Sequence, residues 1–217
     1  MQIDTFDTPA ERRRVKVREM ILAAAERVFA TEGADGLSIR RLARKIDYSP
    51  AAIYKYFESK EELVHELKEA FFAKLLSHVN SIADASEPFD ERARRCVATY
   101  MRVAVEKPYH YAAAFAGELS HAGPTLDDPG FEHTKKGMAF LVLRGMVEEG
   151  ISSGQFRGDI DATLAAKSIW ASMHGLAMMI VHIPSFPALK GSPSRMARED
   201  FIDMHADNVV RGLEAHP

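Results

Sequence analysis

From Ile21 to Leu213 the apolar residues recur at spacings of three and four, and no run alternates Val, Ile, Thr or aromatics with polar residues. A period near 3.6 puts such residues on one face of a helix, whereas a half-buried strand needs a period of two. The pattern therefore predicts an all-α fold. Helix starts can be read from capping residues. Thr8-Pro9-Ala10-Glu11 combines an N-cap threonine, a proline at the first helical position and a capping-box glutamate. The helix it opens carries Ile21, Leu22, Ala25, Val28 and Phe29 on one side and stops at Gly33, where glycine tolerates positive φ. Ser38 caps a second helix with a stripe of Ile39, Leu42, Ala43 and Ile46. Ser49-Pro50 opens a third over Ala51 to Tyr56, and Ser59-Lys60-Glu61-Glu62 starts a long fourth through Leu63, Leu67, Phe71 and Leu75.

Only Asp47 and Tyr48 separate the second and third helices, and the third is too short and polar to be justified by its own burial. Two short helices joined by a tight turn have the shape of a helix-turn-helix. Beyond residue 60 the helices lengthen, with candidates at 60–82, 88–106, 109–121, 131–153, 160–183 and 197–214. The expected organisation is a three-helix N-terminal helix-turn-helix domain over 1–60. A C-terminal bundle of about six helices follows over 61–217.

Net charge is −3, and its distribution says more than its sum. Residues 1–60 carry 12 Lys or Arg against 9 Asp or Glu, whereas residues 61–217 carry 16 against 22. A basic front on an acidic body fits a chain with one end that meets a polyanion. Cys96 is the single cysteine, which excludes an intramolecular disulfide framework and any multi-cysteine metal site. No secretory signal opens the chain, so the cytoplasm is the expected location. Leu164 to Ile183 has the length of a bilayer span, but Lys167, Ser168, Ser172, His174 and His182 interrupt it. A helix buried between two subunits has the same composition.

The stretch Leu37 to Phe57, followed by Glu58 to Leu63, resembles the DNA-binding segment of the TetR family of bacterial transcriptional regulators. The residues that carry the resemblance are Phe29, Gly33, Leu42-Ala43, Ile53-Tyr54, Tyr56-Phe57 and Ser59-Lys60-Glu61. Physics makes sense of the pattern. A recognition helix must enter a major groove about 12 Å wide, and Ser49, Pro50, Ala51 and Ala52 keep its front slim. Tyr54, Lys55 and Tyr56 offer hydroxyls and a charge, while Ile53 and Phe57 anchor the back. Lys60 joins its ammonium to the positive end of the fourth helix, which suits a phosphate oxygen. Arg40, Arg41 and Arg44 lie around the second helix, which crosses the DNA backbone in this motif. The resemblance implies that Ser49, Ala51, Ala52, Tyr54, Lys55, Tyr56 and Lys60 occupy DNA-touching positions; Ser38, Arg40 and Pro50 complete the set. Tyr54 and Tyr56 also read as packing residues, and Arg12 to Arg14 as either a minor-groove arm or a solvated helix start. Many relatives place glycine where this chain has Asp47, a residue that tolerates left-handed backbone.

Trp170-Ala-Ser-Met-His174-Gly175 resembles the WHG-type C-terminal domain of one branch of the same family, which implies ligand binding and dimerisation. Trp170 and His174 share one helix face at i and i+4. Gly175 lowers helix propensity by about 1 kcal/mol relative to alanine, which suggests close approach of a neighbour. Met101, Tyr111, Phe115, Phe140, Trp170, Met173 and His174 are the candidate ligand contacts, since thioethers and aromatics adapt to apolar ligands as well as filling cores. Glu118, His121 and His133 are possible polar contacts, and Lys107, Lys135 and Arg144 possible anion contacts. Ile202, Ala206, Val209 and Leu213 recur at steps of four, three and four. With Ile169 and Met178 they form the expected interface of a homodimer about a twofold axis.

Catalytic motifs are missing: no H-E-x-x-H, no G-x-S-x-G and no glycine-rich phosphate loop. The chain therefore reads as a regulator rather than an enzyme, with no cofactor and no metal; a zinc site from the widely spaced His110, His121 and His133 is the lesser alternative. Cys96 beside Arg94 and Arg95 reads either as an oxidant sensor or as an inert buried thiol. The expected function is a homodimeric repressor released from an inverted-repeat operator by a small, largely apolar ligand. The alternative is a helix-turn-helix adaptor that binds a protein partner instead of DNA.

Overall fold

The computed structural model describes residues 8–83, 86–115, 129–183, 185–188 and 196–215. Among these residues there is no strand, only a single antiparallel bridge between Phe156 and Glu214. The all-α expectation holds. The chain divides into two compact units, Met1–Ala70 with Tyr109–Ala122, and Phe71–Pro108 with Gly123–Pro217.

The first unit contains α1 (Pro9–Gly36), α2 (Ile39–Lys45), α3 (Pro50–Ile53), the first turns of α4 (Lys60–Ala83) and most of α6 (Pro108–Phe115). Thr8 and Glu11 form a reciprocal capping box: Glu11 N donates to Thr8 Oγ1 at 3.2 Å, and Thr8 N donates to the Glu11 carboxylate at 2.9 Å. Gly33 adopts φ 68° and ψ −170°, which is not helical, so the first helical run stops there as expected, and a short further turn follows to Gly36. Ile21, Val28, Leu42, Ile53, Phe57 and Leu63 belong to one core, which Leu67 and Ala113 complete. Because α4 supplies Leu63 and Leu67 to that core, the compact division falls at residue 70 rather than at the expected 60.

The second unit contains the rest of α4, α5 (Phe89–Glu106), a 3₁₀ turn (Phe131–His133), α7 (Lys135–Ser152), α8 (Ala162–His182) and α9 (Arg198–Arg211). Helix α5 packs on both α8 and α9, and α7 packs on α8. The span expected as one helix over 131–153 is broken at Thr134, whose hydroxyl accepts from Gly137 N at 2.9 Å and so caps α7. Gly137 permits the break. A Cβ there would lie 1.9 Å from the Phe131 carbonyl oxygen, a position only glycine can occupy.

Helix α8 is long and apolar enough to cross a membrane by length and composition. Part of that apolar surface is explained by burial: Ala166, Ile169, Met173, Ala177 and Ile180 are buried within the unit. Its other side, Leu164, Met178 and Met179, stays exposed, with Leu164 at 65 %. The seam expected to face a partner is corrected here. Ile169, Ile202 and Ala206 are buried within the unit itself, so they serve its own core. Val209 and Leu213 are half-buried and Met178 is exposed. Sequence period identifies an apolar face but not the surface that covers it.

Candidate nucleic-acid interface and apolar cavity

The interface is built from two capped helices and the turn between them. Ser38 Oγ accepts from Arg41 N at 3.3 Å and Ser49 Oγ accepts from Ala52 N at 3.1 Å. Each hydroxyl keeps its proton free to donate, so capping and phosphate contact are compatible. Asp47 adopts φ 56°, the left-handed conformation that the turn requires and that aspartate tolerates. Tyr48 N closes the turn on Ala43 O at 2.9 Å. Helix α3 ends at Ile53, shorter than the expected Ala51 to Tyr56, and residues 54–56 continue it as a turn. Ile53 and Phe57 are fully buried and hold this segment from behind.

What remains outward is the predicted reading surface. Arg40, Arg44, Lys45, Ser49, Pro50, Ala51, Tyr54 and Lys55 are exposed, and Ala52 and Lys60 are half-buried. The two tyrosines differ. Tyr54 is 54 % exposed, whereas Tyr56 is half-buried against the core, leaving Tyr54 the freer to reach a base edge. The arginines of α2 differ too. Arg41 is paired with Glu32, while Arg40 and Arg44 have no ion-pair partner among the described residues. Lys45, Lys55 and Lys60 are likewise without one. Uncompensated cations around a slim, capped recognition segment can neutralise phosphates, and each released counterion favours binding.

The second unit contains an apolar cavity of about 30 Å³, lined by Phe72, Cys96, Tyr100, Lys136, Phe140, Trp170 and Met173, among others. Phe140, Trp170 and Met173 of the sequence-derived set are thus brought together. Phe140 and Trp170 rings stand 6.0 Å apart, and the Lys136 ammonium lies 5.2 Å from the Trp170 ring centre. His174 is tied to this wall through Tyr100: Trp170 Nε1 donates to Tyr100 Oη at 3.4 Å, and that hydroxyl is 3.2 Å from His174 Nδ1. Met101 is fully buried in α5. Tyr111 and Phe115 are placed in the first unit, where their rings lie 5.1 Å apart. Sequence reasoning missed Lys136 and Phe72 as cavity residues; no local motif marks a wall assembled from α4, α5, α7 and α8.

Burial pushes the Cys96 thiol up to about 12, so it is protonated at neutral pH and unsuited to oxidant sensing. Gly175 has open space where a Cβ would stand, so no neighbour among the described residues explains it. No group of three His, Cys, Asp or Glu able to hold a metal occurs among the described residues. His133 lies 3.9 Å from Glu132 on the surface, whereas Glu118 and His121 lie outside the described residues.

A capped helix-turn-helix with uncompensated cations, joined to a second helical unit with its own cavity, defines a DNA-binding regulator. Residues 21–67 match the family profile described as bacterial regulatory proteins, tetR family. Residues 93–199 match the one described as tetracyclin repressor-like, C-terminal domain. The chain belongs to the TetR family of transcriptional regulators. The second description is broader than the W-x-x-x-H-G resemblance, though its span includes Trp170 to Gly175. The chain is 28 % identical to the HTH-type transcriptional repressor NicS of Pseudomonas putida, over 91 % of this chain and 92 % of that one. It is 26 % identical to the repressor KstR2 of Mycolicibacterium smegmatis, over 80 % and 83 %. The solved structure of the ketosteroid transcriptional regulator KstR2 of Mycobacterium tuberculosis shares the fold, with a TM-score of 0.67 at 19 % identity over 99 % and 98 %.

Proposed function

We propose that the chain is a homodimeric repressor that binds an inverted-repeat operator and is released by a small, largely apolar ligand held in the second-unit cavity. The observation that carries the reading is the pairing of an uncompensated cationic surface around α3 with a cavity walled by Phe72, Tyr100, Phe140, Trp170 and Met173. Ser38, Arg40, Ser49, Pro50, Ala51, Ala52, Tyr54, Lys55, Tyr56 and Lys60 form the DNA contact. Lys55 and Lys60 bind phosphate, while Tyr54 and the methyl groups of Ala51 and Ala52 meet base edges. Free cations favour DNA over a protein partner at this surface.

Dimerisation is supported by an exposed stripe on α8, Leu164, Ser168, Ala171, Gly175 and Met178, at steps of four, three, four and three. That spacing is a helix-pairing seam, and the small residues in its middle let a second backbone approach closely. Such approach also gives Gly175 a reason that the described residues of one chain do not supply. A groove between α8 and α9, with Leu164, Ser172, Asn208, Val209 and Leu213 in its walls, continues the same face. A twofold axis through it sets two α3 segments one helical turn of DNA apart or a multiple of that.

The ligand acts by population shift, so it needs different affinities for the operator-competent and released states. Selection from a random duplex library at physiological salt tests the reading, with enrichment of an inverted repeat as the expected result. A selected single half-site, or no enrichment at any salt, would overturn it. Trp170 is the single tryptophan of the chain and lines the cavity, so its emission reports entry of any ligand directly.

A further inference from the structure

The walls of the second-unit cavity divide by accessibility. Phe72, Leu75 and Val79 of α4, Tyr100 of α5, Phe140 of α7 and Met173 of α8 are buried. Lys136 and Trp170 are half-buried, so they stand where the cavity approaches the surface. Cys96 shows how dry the interior is, since burial alone raises its thiol to about 12.

Among the wall residues Lys136 is the single charged one, and no carboxylate joins it there. Its ammonium lies 5.2 Å from the centre of the Trp170 ring, and the Trp170 indole N–H donates to Tyr100 Oη at 3.4 Å. One indole thus meets a cation at its face and a hydroxyl at its edge. The first turn of α7, which carries Lys135 and Lys136, contains no acidic residue. Glu132, just before that turn, is 65 % exposed and lies 3.9 Å from His133.

Three classes of polar head group meet this rim differently. An amine brings a second positive charge beside Lys136, in a site that water screens poorly. An amide or an alcohol leaves the ammonium on the indole and gains only neutral hydrogen bonding. A carboxylate exchanges a cation–π contact for a charge-assisted hydrogen bond, the stronger of the two. Because Lys136 is half-exposed, the carboxylate keeps part of its hydration and avoids most of the cost of a buried ion pair.

Resting on the reading of this cavity as the effector site, we propose that the effector is an acid, with an apolar body inserted between Phe140, Trp170 and Met173 and one carboxylate held at the rim by the Lys136 ammonium. Lys136 then selects acids over amines and neutral analogues of the same skeleton. The indole reports the exchange, because the ammonium leaves its face when the carboxylate arrives.

In the test, Trp170 emission of the full chain is titrated with octanoate, decanoate, cyclohexylacetate and phenylpropanoate, each beside the primary amide and the amine of the same skeleton. A charged hydrogen bond corresponds to a gain of about tenfold or more in affinity. At least one acid is expected to exceed its amide by that factor, with the amine weakest. Lys136→Met should erase the preference by weakening the acid and leaving the amide almost unchanged, whereas Lys136→Arg should keep it. Amides that match their acids throughout, or a preference that survives Lys136→Met, would overturn the proposal and leave the effector reading in place. If no compound shifts the emission, the acid falls together with the cavity as effector site. Acids that bind with the expected preference, yet leave a selected duplex fully bound, support the acid site and remove release from the operator.

Discussion

Arginines are paired more often in the second unit than in the first, where only Arg18 and Arg41 have a carboxylate among the described residues. Six arginines of the second unit are consumed internally, Arg92, Arg94, Arg95, Arg102, Arg144 and Arg211: Arg94 in α5 binds Asp90 at 2.6 Å, Asp207 at 2.9 Å and Glu214 at 3.4 Å, and Arg102 reaches Glu199 and Asp203 at the start of α9. Arg12, Arg13, Arg14, Arg40 and Arg44 of the first unit find no carboxylate among the described residues. One residue type thus does two jobs, and pairing decides which. Carboxylates around α5 turn guanidinium groups into ties between helices, whereas around α2 and α3 only Arg41 is so held, by Glu32, and the remaining charge is left for a polyanion.

The contrast can be broken from either side. The largest effect belongs to the first unit: replacing Arg40, Arg44, Lys55 and Lys60 together by alanine should lower the salt slope of DNA binding by about four. Thermal melting of that variant should stay within a few degrees, because none of the four holds the core; a large drop would reassign them to folding. Lys60→Ala alone should account for about one unit of slope.

The converse experiment is Arg94→Met, which keeps the apolar stem and removes the charge that three carboxylates share. Partly buried charged hydrogen bonds put the expected loss at about 2 kcal/mol by urea unfolding, with the DNA salt slope unchanged. A lowered slope would mean that the two sets of arginines are not separable.

A smaller effect comes from pH. Hydrogen bonding to Arg94 holds the Asp90 carboxyl below its usual 3.8, and Arg211, then Arg94, does the same for Asp207. Both groups therefore stay ionised to lower pH in the folded chain than in the unfolded one. Their contribution is complete above the ordinary aspartate range and is lost as pH falls through the depressed folded values. Urea midpoints should drop on acidification below that range, and Arg94→Met should flatten the drop; parallel curves for the two proteins would exclude Arg94 as its cause.

The smallest expected change is at the cavity. Tyr100→Phe removes the hydroxyl that accepts from Trp170 and meets His174, for about 1 kcal/mol of stability. Because Trp170 is the single tryptophan, its emission spectrum should shift, and an unshifted spectrum would show that the indole N–H bond is unimportant.

Local chemistry was legible in the sequence, and assembly less so. Thr8, Ser38 and Ser49 announced the helices they cap, and Asp47 and Gly33 take the left-handed backbone their positions suggested. Each is a matter of a few neighbouring residues. The period of the Ile202 and Ala206 stripe points to a partner, yet the stripe is buried in its own unit, because periodicity records an apolar face without naming its cover. Tyr111 and Phe115 were grouped with Phe140 and Trp170 by composition, but α6 carries them into the first unit. The three carboxylates on Arg94 come from positions 90, 207 and 214, a juxtaposition that only the folded packing of α5 on α9 creates.

A cavity of about 30 Å³ has room for roughly a water molecule. Drug-sized ligands occupy sites of about 300–1,000 Å³. If the proposed effector is drug-sized, Phe140, Trp170 and Met173 have to move apart to admit it. Molecules too small to bring enough apolar surface cannot do that work, however abundant they are. On the proposed reading such a wall would act as a threshold, and discrimination by bulk would come before discrimination by chemistry.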